Sequence, residues 1–520
     1  MKKKFKKKSL PLYILLAFLL ILCITISVVC TYVGNEYAFG LRQILYTLNG
    51  PLEGADTGMV PNGMKACLPI IIPLAIIIIA LFVLDYRKRP KMCVRGKIFK
   101  WNCNFDLMKG IRKFTGFLVV AGLIGSVILV ENTFEITAYI ESLNQISKIY
   151  EEEYVDPETV KITAPAEKKN LILIYMESME TSYQSVEDGG LQKTNYMPNL
   201  TAMAKEHISF SDDEKIGGFR SLEGTEWTAA ALLSTSSGVP FSFPVQQNSM
   251  DKYEKYAPGL VMLGDILEDE GYTQEFLCGS KAEFGGRKKM FMQHGNYRIF
   301  DLFTAREAGY LPSPDYHDHF WGYEDMYLYK IAKDEITKLY EEGNPFNFTM
   351  LTVDTHFPDG HPCPLCENKH DTIAANVVEC ADRQIAEFIA WCKQQPFYED
   401  TVIIISGDHP RMDKVLVENE PDFLERTIYN CFINAQVEGS INMKNRDFTS
   451  MDMFPTILAS LGYQIEGNRL GLGTNLFSQR ETLAEEMGVL ELQKQLNMQS
   501  DYYMSHFMFE RNCGKTRKNP

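Results

Sequence analysis

Asn170–Met176 reads NLILIYM, seven residues without a charge, bounded by Lys169 and Glu177. A strand with one wet face alternates polar and apolar residues. A short run this uniformly apolar fits a strand covered on both faces. Similar runs occur at Thr273–Cys278 (TQEFLC), Phe348–Val353 (FTMLTV) and Thr401–Ile405 (TVIII). Helix-like stretches separate them at Asn199–His207, Trp227–Ser234, Gly259–Glu270, Asp325–Glu341 and Thr372–Gln394. This alternation predicts an α/β domain: a mostly parallel sheet sandwiched by helices.

In an open parallel sheet the ligand lies outside the carboxyl ends of the strands. NLILIYM runs into Glu177, FTMLTV is followed by Asp354 and His356, and TVIIIS by Gly407, Asp408 and His409. TQEFLC leads to Gly279, Ser280 and Lys281, then Arg287. One Asp-His pair after a strand is more often a turn than a ligand pair. Four polar strand ends of one sheet converging point to a metal site. Glu177, Asp408 and His409 supply two carboxylates and an imidazole, a mixed set that suits Mn²⁺, Zn²⁺ or Mg²⁺; the imidazole argues against Ca²⁺. Such a site needs a nucleophile, and Glu223–Leu232 (EGTEWTAAAL) offers Thr225, after Gly224 and just before an Ala-rich helix. A hydroxyl at a helix N-terminus is favoured as an anion, and the exposed N–H groups bind phosphate oxygens. Taken alone, Thr225 reads as a helix N-cap; the metal set in the same chain favours the nucleophile.

The 520-residue chain has a formal net charge of −15 and is 45% hydrophobic, which excludes a disordered chain and disfavours a nucleic-acid partner. Its charge is uneven. Residues 1–113 hold about 18 Lys and Arg against about 5 Asp and Glu, leaving roughly −28 on the remainder. Leu10–Val33 and Ala66–Leu84 carry no charge and are long enough to span a bilayer; Thr115–Val130 is marginal, extending to about residue 133. The first run is too long for the apolar core of a cleaved signal peptide. Six lysines between Lys2 and Lys8 and ten basic residues between Arg87 and Lys113 flank these spans. The positive-inside rule then puts the N-terminus and the 85–113 loop in the cytoplasm, and everything after about residue 135 outside it. Seven of the twelve cysteines fall in that outer part, an odd number, so a complete disulfide framework is not implied.

NLILIYMES, GTEWTAAALLSTSSGVP, TVDTHFPDG and ISGDHPRM, in that order, resemble the alkaline-phosphatase/sulfatase superfamily. Within it they are similar to membrane phosphoglycerol transferases of the phosphatidylglycerol:membrane-oligosaccharide type, with lipoteichoic acid synthases next. MDMFPTILASLG and GLGTNLF look like the closing segment of that family. The resemblance implies Glu177, Asp408 and His409 as metal ligands, Thr225 as nucleophile and fourth ligand, and His356 as a substrate-phosphate contact. Arg287 sits where the family has a cationic contact, and Lys281 is a weaker candidate of the same kind. The resemblance further implies a divalent ion, Mn²⁺ first with Zn²⁺ or Mg²⁺ as alternatives. It implies a phosphatidylglycerol donor, and a glycan or polyglycerolphosphate acceptor at the cell membrane.

The expected organisation is a membrane anchor over 1–134, a linker over 135–167, a catalytic domain over 168–480 and an extension over 481–520. Alternatives are a phosphoethanolamine transferase or sulfatase of the same superfamily, or an inactive membrane sensor. The activating Cys/Ser-x-Pro-x-Arg context of sulfatases is missing around Thr225, and a sensor need not keep Glu177, Thr225, Asp408 and His409 together. One segment departs from the family pattern: His361-Pro-Cys363-Pro-Leu-Cys366, with His370 nearby. It reads first as a local disulfide, with a small zinc site or an unpaired loop as alternatives. His317-Asp318-His319 reads as loop surface rather than a second metal site.

Overall fold

The structure is a computed structural model that describes residues 10–37, 41, 44–45, 59–88, 93–98, 101–242, 254–313, 316, 322–417, 423–437 and 439–509. The chain divides into one unit holding three long apolar helices and another holding the sheet. In the first, helices α1 (Leu10–Glu36), α2 (Met59–Lys88) and α3 (Leu107–Phe134) carry candidate spans Leu10–Glu36, Met59–Leu84 and Phe114–Phe134. The shortest has 21 residues, and at 1.5 Å per residue it reaches about 31 Å, enough for the hydrocarbon layer. The marginal third span is therefore long enough, because the helix continues through Glu131 to Phe134. Ile14, Phe18, Ile76, Phe117 and Val127 are exposed on these helices, where lipid tails rather than water suit them.

The second unit is built on a six-stranded sheet. Its strands are β1 (Asn170–Met176), β2 (Thr273–Cys278), β3 (Arg298–Phe300), β4 (Phe346–Leu351), β5 (Thr401–Gly407) and β6 (Asn430–Ile433). The order is β6-β5-β1-β4-β2-β3, with only β6 antiparallel to its neighbour. Every residue of β1, β4 and β5 is buried, as the uncharged runs require. Helices α4 (Thr228–Ser237), α5 (Asp325–Glu341) and α6 (Ile373–Cys392) cover it. Ile172, Ile174, Phe348, Met350, Ile403 and Ile405 share one apolar cluster with Leu328 and Ile336 of α5 and Val378, Ile385 and Phe388 of α6. Each fully buried side chain of this kind contributes about 1.5–3 kcal/mol relative to exposure. Tyr175, on the alternate side of β1, bonds through its hydroxyl to Thr235 of α4 at 2.7 Å, which docks α4 against the other face.

Register decides what meets at the sheet's end. β1 and β5 run parallel with Met176 opposite Gly407, so Glu177 and Asp408 leave the sheet side by side. β4 pairs with the other edge of β1, Tyr175 opposite Leu351, and the Glu177 amide is received by Thr352 Oγ1 at 3.0 Å.

The α/β sandwich and three apolar helices match the expectation; the differences have local causes. β4 begins and ends two residues earlier than read. The Val353 and Asp354 amides leave the ladder and donate to the Asp325 carboxylate at 2.8 and 3.2 Å. The predicted helix at Gly259–Glu270 starts only at Leu263, where the Asp265 carboxylate accepts from the Met262 amide. Strands β3 and β6, three and four residues long, escaped the reading because runs so short carry almost no periodic signal. The linker 135–167 is partly helical, and Ile162–Thr163 pairs with Gln464–Ile465. Leu492, Leu496, Tyr503 and Phe507 are buried, and the Tyr503 hydroxyl donates to the Pro240 carbonyl at 2.8 Å. His317-Asp318-His319 lies outside the described residues.

Candidate active site

Glu177, Asp408 and His409 are fully buried at the carboxyl ends of β1 and β5. Backbone and hydroxyl groups aim them. Ser178, in the left-handed region at φ +52°, donates its hydroxyl to Glu177 Oε1 at 2.7 Å and its amide to Asp408 Oδ1 at 2.8 Å. The His409 amide donates to the same Asp408 Oδ1 at 2.8 Å. His409 Nδ1 lies 2.9 Å from the Pro410 carbonyl, which can only accept. Nδ1 therefore carries a proton, and Nε2 faces the carboxylates; against burial, the Asp408 and Glu177 charges hold the ring's pKa above its ordinary value. It stands 3.4 Å from both Glu177 Oε1 and Asp408 Oδ2. Asp408 Oδ2 has no hydrogen-bond partner among the described residues, although it is buried.

Burial opposes ionisation of Glu177, yet His409, then His356 and the Ser178 and Thr228 hydroxyls, outweigh it and hold its carboxyl below the usual range. Burial and the neighbouring Glu177 charge push Asp408 up to about 7, against the pull of His409. Two buried carboxylates, one with an orphaned oxygen, converge on a single imidazole nitrogen. That donor set fits a divalent cation, with ligand atoms within 4.8 Å of one another.

Thr225 does not join this cluster. Its hydroxyl donates to the Leu222 carbonyl at 2.8 Å and accepts from the Leu222 amide at 2.9 Å, closing a buried local turn. It is not the N-cap either, because α4 starts three residues later and its N-cap is Trp227. The residue that reaches the cluster is Thr228. Its hydroxyl donates to Glu177 Oε2 at 3.2 Å and lies 3.3 Å from His409 Nε2. Thr228 is half-buried, whereas Thr225 is sealed. As the first residue of α4 it stands where the backbone dipoles converge, and the first helical bond from this end runs from the Ala231 amide to the Trp227 carbonyl at 2.9 Å. The amides of Thr228, Ala229 and Ala230 precede that bond and have no intrahelical acceptor. The motif was read for Thr225, three residues before the hydroxyl that reaches the cluster, although the expected helix, Trp227–Ser234, already held Thr228 in its first turn. Asking which hydroxyl lies inside that turn, rather than before it, selects Thr228.

His356 is half-buried and close enough to Glu177 to lower its pKa; its Nδ1 meets the Phe357 carbonyl at 2.6 Å. Arg287 and Lys281 make no hydrogen bond or ion pair to Glu177, Thr228, Asp408 or His409 among the described residues. The buried Arg287 guanidinium closes the loop after β2, donating to the Phe284 and Lys281 carbonyls at 2.9 and 2.8 Å and to Ser280 Oγ at 3.0 Å. Lys281 Nζ lies 5.6 Å from the centre of the Phe303 ring. Two buried ion pairs that the sequence did not signal brace the floor. Arg411 pairs with Asp413 and also donates to the Thr355 carbonyl at 3.1 Å. Arg426 holds Glu180 through two bonds of 2.7 and 2.6 Å. Breaking such a buried pair costs about 3–5 kcal/mol.

The Sulfatase family model matches residues 169–463, more than half of the chain. Phosphoglycerol transferase I of Xanthomonas axonopodis pv. citri is 32% identical over 254 residues, 47% of this chain and 34% of that protein. Phosphoglycerol transferase I of Escherichia coli is 31% identical over 258 residues, 48% of this chain and 32% of that protein. The chain thus matches about a third of the length of these curated relatives. Among solved structures, an alkaline phosphatase superfamily protein from Vibrio parahaemolyticus is 22% identical, with a TM-score of 0.48, over 64% of this chain and 76% of that one.

Proposed function

This chain belongs to the sulfatase family, and from that premise we propose that it is a membrane-anchored phosphotransferase that moves phosphoglycerol from phosphatidylglycerol to a glycan or teichoic-acid hydroxyl. The observation that carries the reading is the Thr228 hydroxyl at the start of α4, within hydrogen-bond distance of both Glu177 and His409. The name phosphoglycerol transferase I, carried by the curated relatives, supports phosphoglycerol as the group moved.

Glu177, Asp408 and His409 would hold a divalent cation, Mn²⁺ first among the candidates, which when bound supplies positive charge beside the transferring phosphate. The remaining work belongs to the protein. The amides at the start of α4, which have no acceptor within the helix, bind phosphate oxygens and set the phosphorus against Thr228 Oγ1. The Thr228 proton faces Glu177 Oε2, which accepts it as the hydroxyl attacks. A bond forms between Oγ1 and phosphorus, the bond from phosphorus to the diacylglycerol oxygen breaks, and that oxygen leaves with a proton. An acceptor hydroxyl then attacks the phosphoglyceryl-threonine, loses its proton and returns Thr228 to its starting state. His356 beside the cluster carries the proton between leaving and entering oxygens. The basic N-terminal run and the 85–113 loop favour a cytoplasmic N-terminus, so the catalytic unit faces the outer leaflet and draws its donor lipid from there.

The test is to incubate membranes containing the protein with phosphatidylglycerol labelled in its head group. The label is expected to appear in a glycan or teichoic-acid fraction in step with diacylglycerol release. Label that stays in the lipid, while phosphatidylethanolamine donates its head group instead, would replace the proposed donor.

A further inference from the structure

We propose that Cys363, Cys366 and Cys380 form a structural Zn²⁺ site, separate from the active site and independent of the transfer reaction proposed above. The CPLC segment alone left a disulfide, a metal site or a loop open. The fold changes the question by bringing a third thiol, from the middle of α6, to the first two.

The spacing is informative. Cys363 Sγ lies 3.8 Å from Cys366 Sγ and 3.8 Å from Cys380 Sγ, and all three sulfurs lie within 4.8 Å of one another. A disulfide needs about 2.0 Å, and pairing any two cysteines strands the third. With Zn–S bonds of about 2.3 Å, the edge of a tetrahedral thiolate site is about 3.8 Å. Cys363 and Cys366 sit on one tight turn, closed by the Cys366 amide donating to the Cys363 carbonyl at 2.9 Å, the two-residue spacing common in zinc sites.

A second observation points into the same place. Gln384, one turn after Cys380 on α6, is buried, and its Nε2 lies 3.4 Å from Cys380 Sγ and 3.8 Å from Cys363 Sγ. Its Oε1 is buried without a partner among the described residues. Half a turn of the amide exchanges the two atoms and turns the oxygen, a possible fourth ligand, toward the sulfurs. Arg383 Nη2 lies 3.6 Å from Cys380 Sγ, and its charge offsets the net −1 of one Zn²⁺ with three thiolates. Cys363 and Cys380 are buried while Cys366 is half-exposed, which leaves an entry path. On binding, three thiols release three protons to solvent and three Zn–S bonds form. Thiolate donors select Zn²⁺ over Mg²⁺, Mn²⁺ or Ca²⁺. The site ties the segment after β4, which includes Asp354 and His356, to α6.

Co²⁺ titrated into the reduced, metal-stripped full-length protein in detergent tests this. A thiolate-to-cobalt charge-transfer band is expected at about one ion per chain, displaced by one equivalent of Zn²⁺. It should persist in Asp408→Asn and vanish in Cys380→Ser. No such band in the wild-type protein overturns the proposal even if the cysteine variant fails to fold. So does a band that survives Cys380→Ser. Non-reducing peptide mapping that finds any two of the three cysteines joined in the isolated protein overturns it as well.

Discussion

Two clusters of side chains in the second unit are built by opposite means. Glu177, Asp408 and His409 bring oxygen and nitrogen donors to the ends of neighbouring strands, where the parallel register of β1 and β5 leaves no freedom about what meets. Cys363, Cys366 and Cys380 bring sulfur donors from a loop and from the face of a helix, joined only by packing of α6. The first cluster is sealed, short of positive charge and touched by a half-exposed hydroxyl on a helix N-terminus. The second has an arginine to balance it and no hydroxyl or phosphate-binding amide among its described contacts. A charge deficit beside an accessible hydroxyl suits catalysis; a balanced sulfur set between loop and helix suits support.

The comparison is broken most severely by removing an oxygen ligand. Asp408→Asn keeps the shape but deletes a charge at the cluster, and transfer is expected to fall on the order of 10³-fold or more. Metal analysis should show loss of the oxygen-bound ion and retention of thiolate-bound Zn²⁺. Loss of both together would mean that the two clusters are not independent. A milder change sharpens the same contrast. Ser178→Ala removes the hydroxyl that orients Glu177, and affinity for the activating ion should weaken by about 10–100-fold, read by titrating activity against metal concentration. An unchanged metal dependence would show that Glu177 needs no such support. The smallest effect is expected at Thr225. Thr225→Ala loses only the local bonds to Leu222, so unfolding experiments should show about 1 kcal/mol lost, with turnover within a few-fold of the wild type.

Much of the first cluster was legible in the sequence because strand identity, strand ends and parallel order together force Glu177 and Asp408 into contact. NLILIYM and TVIII are unmistakable as buried strands, and the polar residues that follow need no further information. Thr228 was legible only in part. The motif and the helix were seen, but which of two threonines faces the carboxylates depends on where the helix begins, and Gly224 at φ +78° turns Thr225 back onto Leu222. Arg287 was read as a cationic substrate contact, whereas three bonds to its own loop hold its guanidinium. The sulfur cluster was half visible. CPLC stands out in the chain, but Cys380 lies fourteen residues beyond Cys366 on a helix that reads as ordinary core. Only packing brings it within reach.

The central claim is that Thr228, and not Thr225, carries the transferred group. Protein quenched after exposure to phosphatidylglycerol without an acceptor, then digested and read by mass spectrometry, tests it directly. The account predicts a phosphoglycerol adduct on Thr228, kept in Thr225→Ala and absent from Thr228→Ala, which should also release no diacylglycerol. An adduct on Thr225, or diacylglycerol released by Thr228→Ala at the native rate, would contradict it.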